Sequence, residues 1–228
     1  MRKSYVLLLS GSIVPHAALS QKGRVDAGKR EEDYFKAIRF YLSKGYQVVF
    51  VENSNTISEQ ILRLNQEFGG LEYLTFSTEK SHLGKAQGEV EIMKYALDHS
   101  EQLNKVDYLI KITGRYIIQN IDAMVDGTND FQSDIYINPT RNLRWADSRL
   151  MMMKKSFFNR YFLRAVELYL DESNGVFMEQ TFVRSLFLYL LDGGQLQLWP
   201  VYPSYQGMDG THDQPVTFSF LKLSLIHI

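Results

Sequence analysis

Residues 71–116 read LEYLTFSTEKSHLGKAQGEVEIMKYALDHSEQLNKVDYLIKITGRY, and this stretch has the clearest strand–helix–strand pattern of the chain. The apolar runs Leu71–Phe76 and Val106–Ile112 are typical of buried strands, and Ala86–His99 between them has the spacing of a helix. Strands that alternate with helices at this spacing predict parallel pairing, because a parallel neighbour needs a long crossover connection.

The same alternation precedes this stretch. Strands are predicted at Tyr5–Leu9 and Gln47–Val51, and helices at Glu31–Leu42 and Ser58–Phe68, with Ser58 as the candidate N-cap. We therefore predict an α/β fold with a mostly parallel, Rossmann-like sheet flanked by helices.

The second half of the chain has a less regular pattern. Strands are predicted at Ser133–Asn138, Ser148–Met153, Gln195–Val201 and Thr217–Leu225, and helices at Ser156–Tyr169 and Glu179–Leu191. These elements predict a mixed, partly antiparallel half. No repeat or Pro-rich linker interrupts the chain, so we expect a single domain over residues 1–228, with halves of about 1–125 and 126–228.

Composition excludes several classes of protein. The chain has 228 residues, 45% of them apolar, which provides a large core and excludes global disorder. Its 25 Lys and Arg face 26 Asp and Glu, so it lacks the basic excess of a nucleic-acid-binding protein, and we expect no nucleic-acid partner. The absence of Cys excludes disulfides, Cys-based zinc sites and thiol catalysis.

The apolar stretches are too short for targeting or membrane insertion. Tyr5–Leu9 follows a basic tip but is shorter than the roughly 7–15 residues of a signal h-region, and no run approaches the ~18–20 residues of a membrane span. We expect a cytoplasmic protein. Apolar residues near the end of the sequence leave peripheral contact with the inner face of a membrane open: Phe218, Phe220, Leu223 and Leu225.

The loops that follow the predicted strands are the candidate ligand sites, because parallel sheets bind ligands at the carboxyl ends of their strands. These loops span residues 10–15, 52–55, 77–88 and 113–116. They contain neither GxxxxGK[ST] nor GxGxxG, and the chain lacks HExxH and GxSxG. P-loop NTPases, Rossmann-type dinucleotide sites, zinc hydrolases and serine esterases are therefore disfavoured.

One loop has the chemistry of a phosphate site. Gly84 and Gly88 flank the start of the third helix, where backbone amides attract anions. Lys85, Lys111 and Arg115 are close enough in the predicted fold to face a diphosphate together. Solvated loop cations are the alternative interpretation.

The order of these parts resembles the GT-A-type glycosyltransferases, particularly enzymes of bacterial polysaccharide and lipopolysaccharide assembly, over roughly residues 4–125. In that fold the first-strand loop holds the nucleotide, a residue after the second strand contacts the base, and a Gly-containing loop precedes the donor-side helix. The resemblance implies donor-binding roles for Ser10, Gly11, Ser12, Glu52, Asn53, Gly84, Lys85, Lys111, Thr113 and Arg115.

The sequence departs from that family at the metal motif. Where the family has Asp-x-Asp, this chain has Lys111-Ile112-Thr113, which cannot supply the two carboxylates that bridge a divalent cation to a diphosphate. We therefore expect Lys111 and Arg115 to stabilise the leaving diphosphate, and we assign no metal ligand. Mg²⁺ or Mn²⁺ held by more distant residues stays open.

The second half supplies the candidates on the acceptor side. Glu179 resembles the acidic residue that begins the acceptor-side helix and implies a catalytic base, although a Glu favoured by the helix dipole is an equal alternative. Asp147 is the second candidate base, and Trp145 beside it could stack on a sugar ring. His212, in a Gly-rich loop, is a further candidate for the diphosphate.

The resemblance implies transfer of a sugar from a nucleotide-sugar donor to a hydroxyl of a bacterial surface glycan, free or lipid-linked. If Glu179 or Asp147 acts as the base, direct displacement at the anomeric carbon inverts its configuration. Two alternatives stay open. A non-catalytic nucleotide- or glycan-binding protein on the same scaffold is favoured by the missing Asp-x-Asp. A sugar nucleotidyltransferase would usually carry Gly-rich sequence with Arg and Lys directly after the first strand, which Ser-Gly-Ser-Ile-Val-Pro at residues 10–15 lacks.

Overall fold

A computed structural model describes residues 3–15, 24–209 and 213–216. The strands are β1 (Tyr5–Gly11), β2 (Val48–Glu52), β3 (Leu71–Thr75), β4 (Tyr108–Thr113), β5 (Ile117–Ile118), β6 (Ile135–Tyr136), β7 (Pro139–Thr140), β8 (Trp145–Ala146), β9 (Leu150–Lys154) and β10 (Tyr205–Gln206). The α-helices are α1 (Ala27–Ser43), α2 (Glu59–Phe68), α3 (Lys85–His99), α4 (Glu101–Asn104), α5 (Ile121–Gly127), α6 (Lys155–Phe157), α7 (Leu163–Tyr169) and α8 (Met178–Leu191).

Six of these strands form the central sheet in the order β3-β2-β1-β4-β9-β6. The first four are parallel, with Leu9 of β1 opposite both Phe50 and Ile112, whereas β9 runs antiparallel to β4 and β6 runs antiparallel to β9. The predicted α/β fold with a mostly parallel sheet and a mixed second half is therefore confirmed.

Apolar side chains cover both faces of this sheet. Leu7 and Leu9 belong to a core shared with α1 and α2, and Val6 and Leu8 belong to a second core shared with α3 and α8. Because successive residues of a strand point to opposite faces, a strand that is buried on both sides must be apolar throughout. This requirement explains the continuous apolar runs of the first half.

Helix α2 shows how local chemistry sets the boundaries of an element. The Oγ atom of Ser58 accepts a hydrogen bond from the amide of Ile61 at 3.3 Å, which confirms the predicted N-cap. Gly69 follows the last turn with φ of 69°, a left-handed value that favours glycine.

The second half differs from its prediction in three places. Over Gln195–Val201, only Gln197 makes a β-bridge, with Tyr136, and Pro200 lacks the amide hydrogen that a ladder needs. The predicted strand at Ser133–Asn138 shortens to β6. A π-helical turn at Phe158–Phe162 joins α6 to α7 inside the predicted helix Ser156–Tyr169. The predicted strand Thr217–Leu225 lies outside the described residues.

No helix within the described residues is both long enough and apolar enough to span a bilayer.

Candidate functional site

A cleft of about 570 Å³ lies at the carboxyl ends of the parallel strands, where loops of the first half meet the start of α8. It is lined by nine of the residues predicted for the site: Ser10, Gly11, Ser12, Asn53, Gly84, Lys85, Thr113, Arg115 and Glu179. Its lining does not include Glu52, Lys111 or Asp147, and His212 lies outside the described residues.

The loop after β1 is held by α1. The Arg30 guanidinium donates to the carbonyl oxygen of Ser12 at 2.5 Å and to the hydroxyl of Tyr34 at 3.0 Å, and that hydroxyl accepts from the Ser12 amide. Gly114 approaches the same loop so closely that a Cβ atom there would lie 2.6 Å from the carbonyl oxygen of Ser10. The floor of the cleft is therefore closely packed and hydrogen-bonded where β1 and β4 end.

Glu52 does not line this cleft, although a contact with the nucleotide base is predicted for it. Its side chain is fully buried, and its carboxylate accepts hydrogen bonds from the amides of Ile13 (2.8 Å), Ser54 (2.9 Å) and Thr56 (2.9 Å). The carboxylate thus fixes the loops after β1 and β2 from behind. The neighbouring Asn53 does line the cleft, and among the described residues nothing donates to its buried Oδ1 atom.

Lys111 also lies behind the cleft rather than in it, which corrects its predicted contact with the diphosphate. Its ammonium group is buried, forms an ion pair with the carboxylate of Glu89, and donates to the carbonyl oxygen of Ser148 at 2.6 Å. Lys111 reaches into the core between β4 and α3 because alternate side chains of β4 face that helix. Glu89, which sequence reasoning missed, lines the cleft in its place.

A carboxylate from the second half occupies the start of α3. The Glu172 side chain accepts a hydrogen bond from the amide of Ala86 at 2.7 Å, beside Gly84, where a Cβ atom would lie only 1.9 Å from a Glu172 oxygen. Burial raises the pKa of Glu172, and the negative charge of Glu179 raises it further, although the amides of α3 oppose this. This position is the one predicted for a donor phosphate. No local sequence signal identifies Glu172.

Cations cluster on the wall of the cleft that the first half of the chain forms. Lys85 and Arg115 both line it, and burial together with the positive charge of Arg115 lowers the pKa of Lys85. The Nε atom of Arg115 donates to the carbonyl oxygen of Met208 at 3.1 Å, which fixes its guanidinium at the wall. Because the two cations repel each other, a bound anion would relieve an unfavourable interaction.

Glu179 lies at the first turn of α8 and faces the cleft from the opposite side. Its Oε1 atom accepts a hydrogen bond from the Ser148 hydroxyl at 2.8 Å, and no described residue donates to its Oε2 atom. The helix start is fixed by Gln180, whose side-chain oxygen accepts from the Phe177 amide at 2.8 Å. One carboxylate oxygen is thus oriented and the other is available to a ligand.

Asp147, the second candidate base, positions a cation instead. Its two oxygens accept from Nε and Nη2 of Arg149, each at 2.8 Å, and the Tyr205 hydroxyl donates at 2.8 Å. Burial would raise the pKa of Asp147, but the bonds and charge of Arg149 outweigh burial and lower it. Arg149, which sequence reasoning missed, lines the cleft, and the ion pair with Asp147 holds its guanidinium there.

The described residues do not fit a carboxylate-bound metal at the position where the family has Asp-x-Asp. No group of three His, Asp or Glu side chains able to hold an ion occurs in ranges 3–15, 24–209 and 213–216. At that position the Lys111 ammonium already neutralises Glu89. We therefore derive no chemical step through a metal.

No protein-family model and no curated protein matches the chain. Among solved structures it is similar to the inositol-1-phosphate CTP transferase from T. maritima, with 11% identity, a TM-score of 0.49 and coverage of 100% of this chain and 95% of that one. It is also similar to core-mannan synthase A from Aspergillus fumigatus in its Mn/GDP form, with 8% identity, a TM-score of 0.49 and coverage of 93% of this chain and 78% of that one. A cytidylyltransferase from Leptospira borgpetersenii is similar with 10% identity, a TM-score of 0.46 and coverage of 95% of this chain and 82% of that one. At these identities and TM-scores, the similarity carries no argument about function.

The cleft therefore combines a cationic wall from the first half with an oriented carboxylate from the second half. Such a site can bind an anion on one side and remove a proton on the other.

Proposed function

We propose that this protein is a glycosyltransferase that binds a nucleoside-diphosphate sugar in the cleft and transfers the sugar to a hydroxyl acceptor. The observation that carries the proposal is that Glu179 and the cations Lys85 and Arg115 line the same cleft from opposite halves of the chain. A diphosphate against the cations would direct the sugar toward the carboxylate.

In the proposed reaction, Oε2 of Glu179 takes the proton of the acceptor hydroxyl as its oxygen bonds to the anomeric carbon. The bond from that carbon to the diphosphate breaks, and the diphosphate leaves with the electron pair. Lys85 and Arg115 stabilise its charge, with Arg149 as a further cation of the wall. Attack opposite the leaving group inverts the anomeric configuration, so a product of retained configuration in an NMR assay would exclude this mechanism.

The donor-side roles of Ser10, Gly11, Ser12, Asn53, Gly84 and Thr113 belong to the same proposal, since all six line the cleft. We propose a bacterial surface glycan, free or lipid-linked, as the acceptor, and the cytoplasm or the inner face of the membrane as the location. These finer assignments rest on the resemblance of the sequence to polysaccharide-assembling enzymes.

A second candidate is a sugar nucleotidyltransferase. Arg24 and Arg30 also line the cleft beside the loop after β1, which brings more positive charge than a diphosphate requires. Both are engaged, however: Arg24 pairs with Asp33 and Asp213, and Arg30 binds the carbonyl oxygen of Ser12. We rank this function second for that reason.

The deciding experiment measures the products. The purified protein is first screened for thermal stabilisation by UDP-, GDP-, ADP- and dTDP-sugars, because a ligand that binds only the native state raises its stability. The stabilising donor is then incubated alone and with glycan acceptors, and a nucleoside triphosphate is incubated with a sugar phosphate. Release of a nucleoside diphosphate supports the proposal, whereas release of pyrophosphate shows a nucleotidyltransferase.

Matched variants locate the donor. Lys85→Ala should weaken donor binding about tenfold, the effect of removing one charged contact to phosphate. Lys94→Ala, also on α3 but exposed to solvent, should leave binding unchanged. Donor binding without release of either product would contradict both enzymes and favour the non-catalytic binding protein.

A further inference from the structure

A second hollow lies beside the cleft, at the start of α8. It has a volume of about 520 Å³ and is lined by Arg141, Asn142, Arg144, Trp145 and Gln180. Gln180 follows the proposed base in sequence. The Trp145 ring lies 6.5 Å from the ring of Phe177, and Phe177 itself lines the cleft. The hollow is therefore on the acceptor side of the cleft.

We propose that this hollow binds an anionic sugar residue, one that carries a carboxylate or a phosphate substituent. None of its five lining residues is acidic, and two of them are arginines. Arginine suits this ligand because its planar guanidinium can bind both oxygens of a carboxylate or phosphate at once.

No carboxylate among the described residues neutralises the charge of these arginines. Within the described residues, no carboxylate forms an ion pair with Arg141 or Arg144, and both side chains are exposed. Arg149 and Arg24 in the main cleft are in contrast both paired with Asp side chains. The hollow thus presents two guanidinium groups that a ligand anion can neutralise.

An aromatic ring lies among these charges. Trp145 is half-buried, and the Arg141 guanidinium lies 4.6 Å from its ring centroid. An indole provides an apolar surface and the guanidinium groups provide the charge. A sugar ring, with apolar C–H faces and an acidic substituent at its edge, matches both features.

The loop that carries the arginines is held in an unusual conformation. Arg141, Asn142 and Leu143 have φ angles of 53°, 54° and 60°, a left-handed region that arginine and leucine rarely adopt and asparagine adopts more readily. The strands β7 and β8 close the loop, and the Arg144 amide donates to the Thr140 carbonyl oxygen at 3.2 Å. Strained backbone of this kind collects at ligand-binding sites.

The inference rests on the proposed function in one respect, namely that the anionic sugar residue is part of the acceptor. Binding of an anionic sugar to the hollow is independent of that function, because it is measured without any nucleotide. The protein has two tryptophans, and Trp199 is buried elsewhere, so Trp145→Phe assigns the Trp145 indole N–H signal in a proton–nitrogen NMR spectrum. The probes are methyl glucuronide, the phosphate ester of methyl glucoside, and neutral methyl glucoside.

We expect the Trp145 signal to shift on titration with the two anionic probes, at affinities at least about tenfold above that of the neutral probe. The tighter anionic probe identifies the substituent. Arg141→Ala and Arg144→Ala should each weaken anionic binding about tenfold. Arg63→Ala, an exposed arginine on α2 beside the edge strand β3, should not change it.

Three results would each overturn the inference. The neutral probe could bind as tightly as the anionic probes, Arg63→Ala could weaken anionic binding as much as Arg141→Ala and Arg144→Ala do, or the Trp145 signal could fail to shift. A failure of the proposed function is distinguishable from these results. If no donor is consumed but the anionic probes shift Trp145 selectively, the hollow is a glycan site of a binding protein rather than an acceptor site of an enzyme.

Discussion

The ammonium group of Lys111 on β4 forms a buried ion pair with the carboxylate of Glu89 on α3. The same carboxylate accepts a hydrogen bond from the Ser10 hydroxyl at 3.1 Å, and the ammonium also donates to the Thr113 hydroxyl at 3.2 Å. This pair therefore connects the ends of β1 and β4 to α3, the helix whose first residues line the cleft.

We expect Lys111→Met to lower the free energy of unfolding by about 3 kcal/mol, because it leaves Glu89 partly buried without its partner. Urea denaturation measures this loss. The double variant Lys111→Met with Glu89→Gln should recover much of it, since the uncompensated charge is removed as well. Full stability of Lys111→Met together with a loss of donor binding would instead restore Lys111 to the diphosphate.

We expect Glu179→Gln to reduce kcat about 10²- to 10⁴-fold at nearly unchanged donor KM, because the amide keeps the shape but cannot accept the proton. Steady-state kinetics with saturating acceptor measures both constants. The control is Glu167→Gln on the exposed surface of α7, which should behave as the wild type. Wild-type kcat in Glu179→Gln would remove this residue as the base.

We expect Glu172→Gln to tighten donor binding by up to about tenfold, because the wild-type carboxylate repels a diphosphate at the start of α3. Because the pKa of Glu172 is raised, the donor affinity of the wild type should depend on pH. As the pH falls through that pKa the carboxylate becomes neutral, and wild-type affinity should rise. Calorimetric titration with a nucleotide sugar measures the affinity across this range. A wild-type affinity that is flat with pH, or weaker binding by the variant, would contradict the prediction.

We expect Asp147→Asn to lower the free energy of unfolding by about 2 kcal/mol at neutral pH, because it replaces two charge-assisted bonds to Arg149. The pKa of Asp147 is lowered from its ordinary value of 3.8, so its ionised form stabilises the fold above that pH. This stabilisation is lost as the pH falls below 3.8. Urea denaturation should therefore show a difference between variant and wild type that disappears in acid.

We expect the proposed transferase activity to persist in EDTA, because a lysine stands where the GT-A-type enzymes that the sequence resembles have metal-binding carboxylates. The measurement is donor turnover in EDTA compared with turnover in added Mg²⁺ or Mn²⁺. Complete loss in EDTA, reversed by either ion, would show a metal site that the described residues do not reveal.

The first half of the fold was predictable because each of its elements is determined locally. The apolar run at Gln47–Val51 can only be a strand buried on both faces, and Ser58 and Gly69 mark the two ends of α2. The predicted strand at Gln195–Val201 was wrong. Polar and apolar residues alternate there, but the segment makes one β-bridge, at Gln197, and then bends at Pro200 and Val201. Alternation shows which side chains face the core but does not show whether a partner strand is present.

The site was predictable as a set of loops, but the direction of individual side chains was not. Lys111 and Thr113 are two residues apart on β4, yet the lysine faces the core and the threonine lines the cleft, because Thr113 ends the strand. Glu89, Arg149 and Glu172 carry no motif of their own. Their importance follows only from partners that are distant in sequence, such as Lys111 for Glu89 and the Ala86 amide for Glu172.

The antiparallel pairing of β9 with β4 has a consequence for how this protein could evolve. Residues Tyr108–Ile112 are covered along one edge by Leu150–Lys154, a strand from the other half of the chain. A gene fragment that ended near residue 125 would expose that apolar edge with its backbone groups unpaired, and such edges associate with other chains. The first half is thus unsuited to transfer into another protein as a module, and we expect the halves to be inherited together.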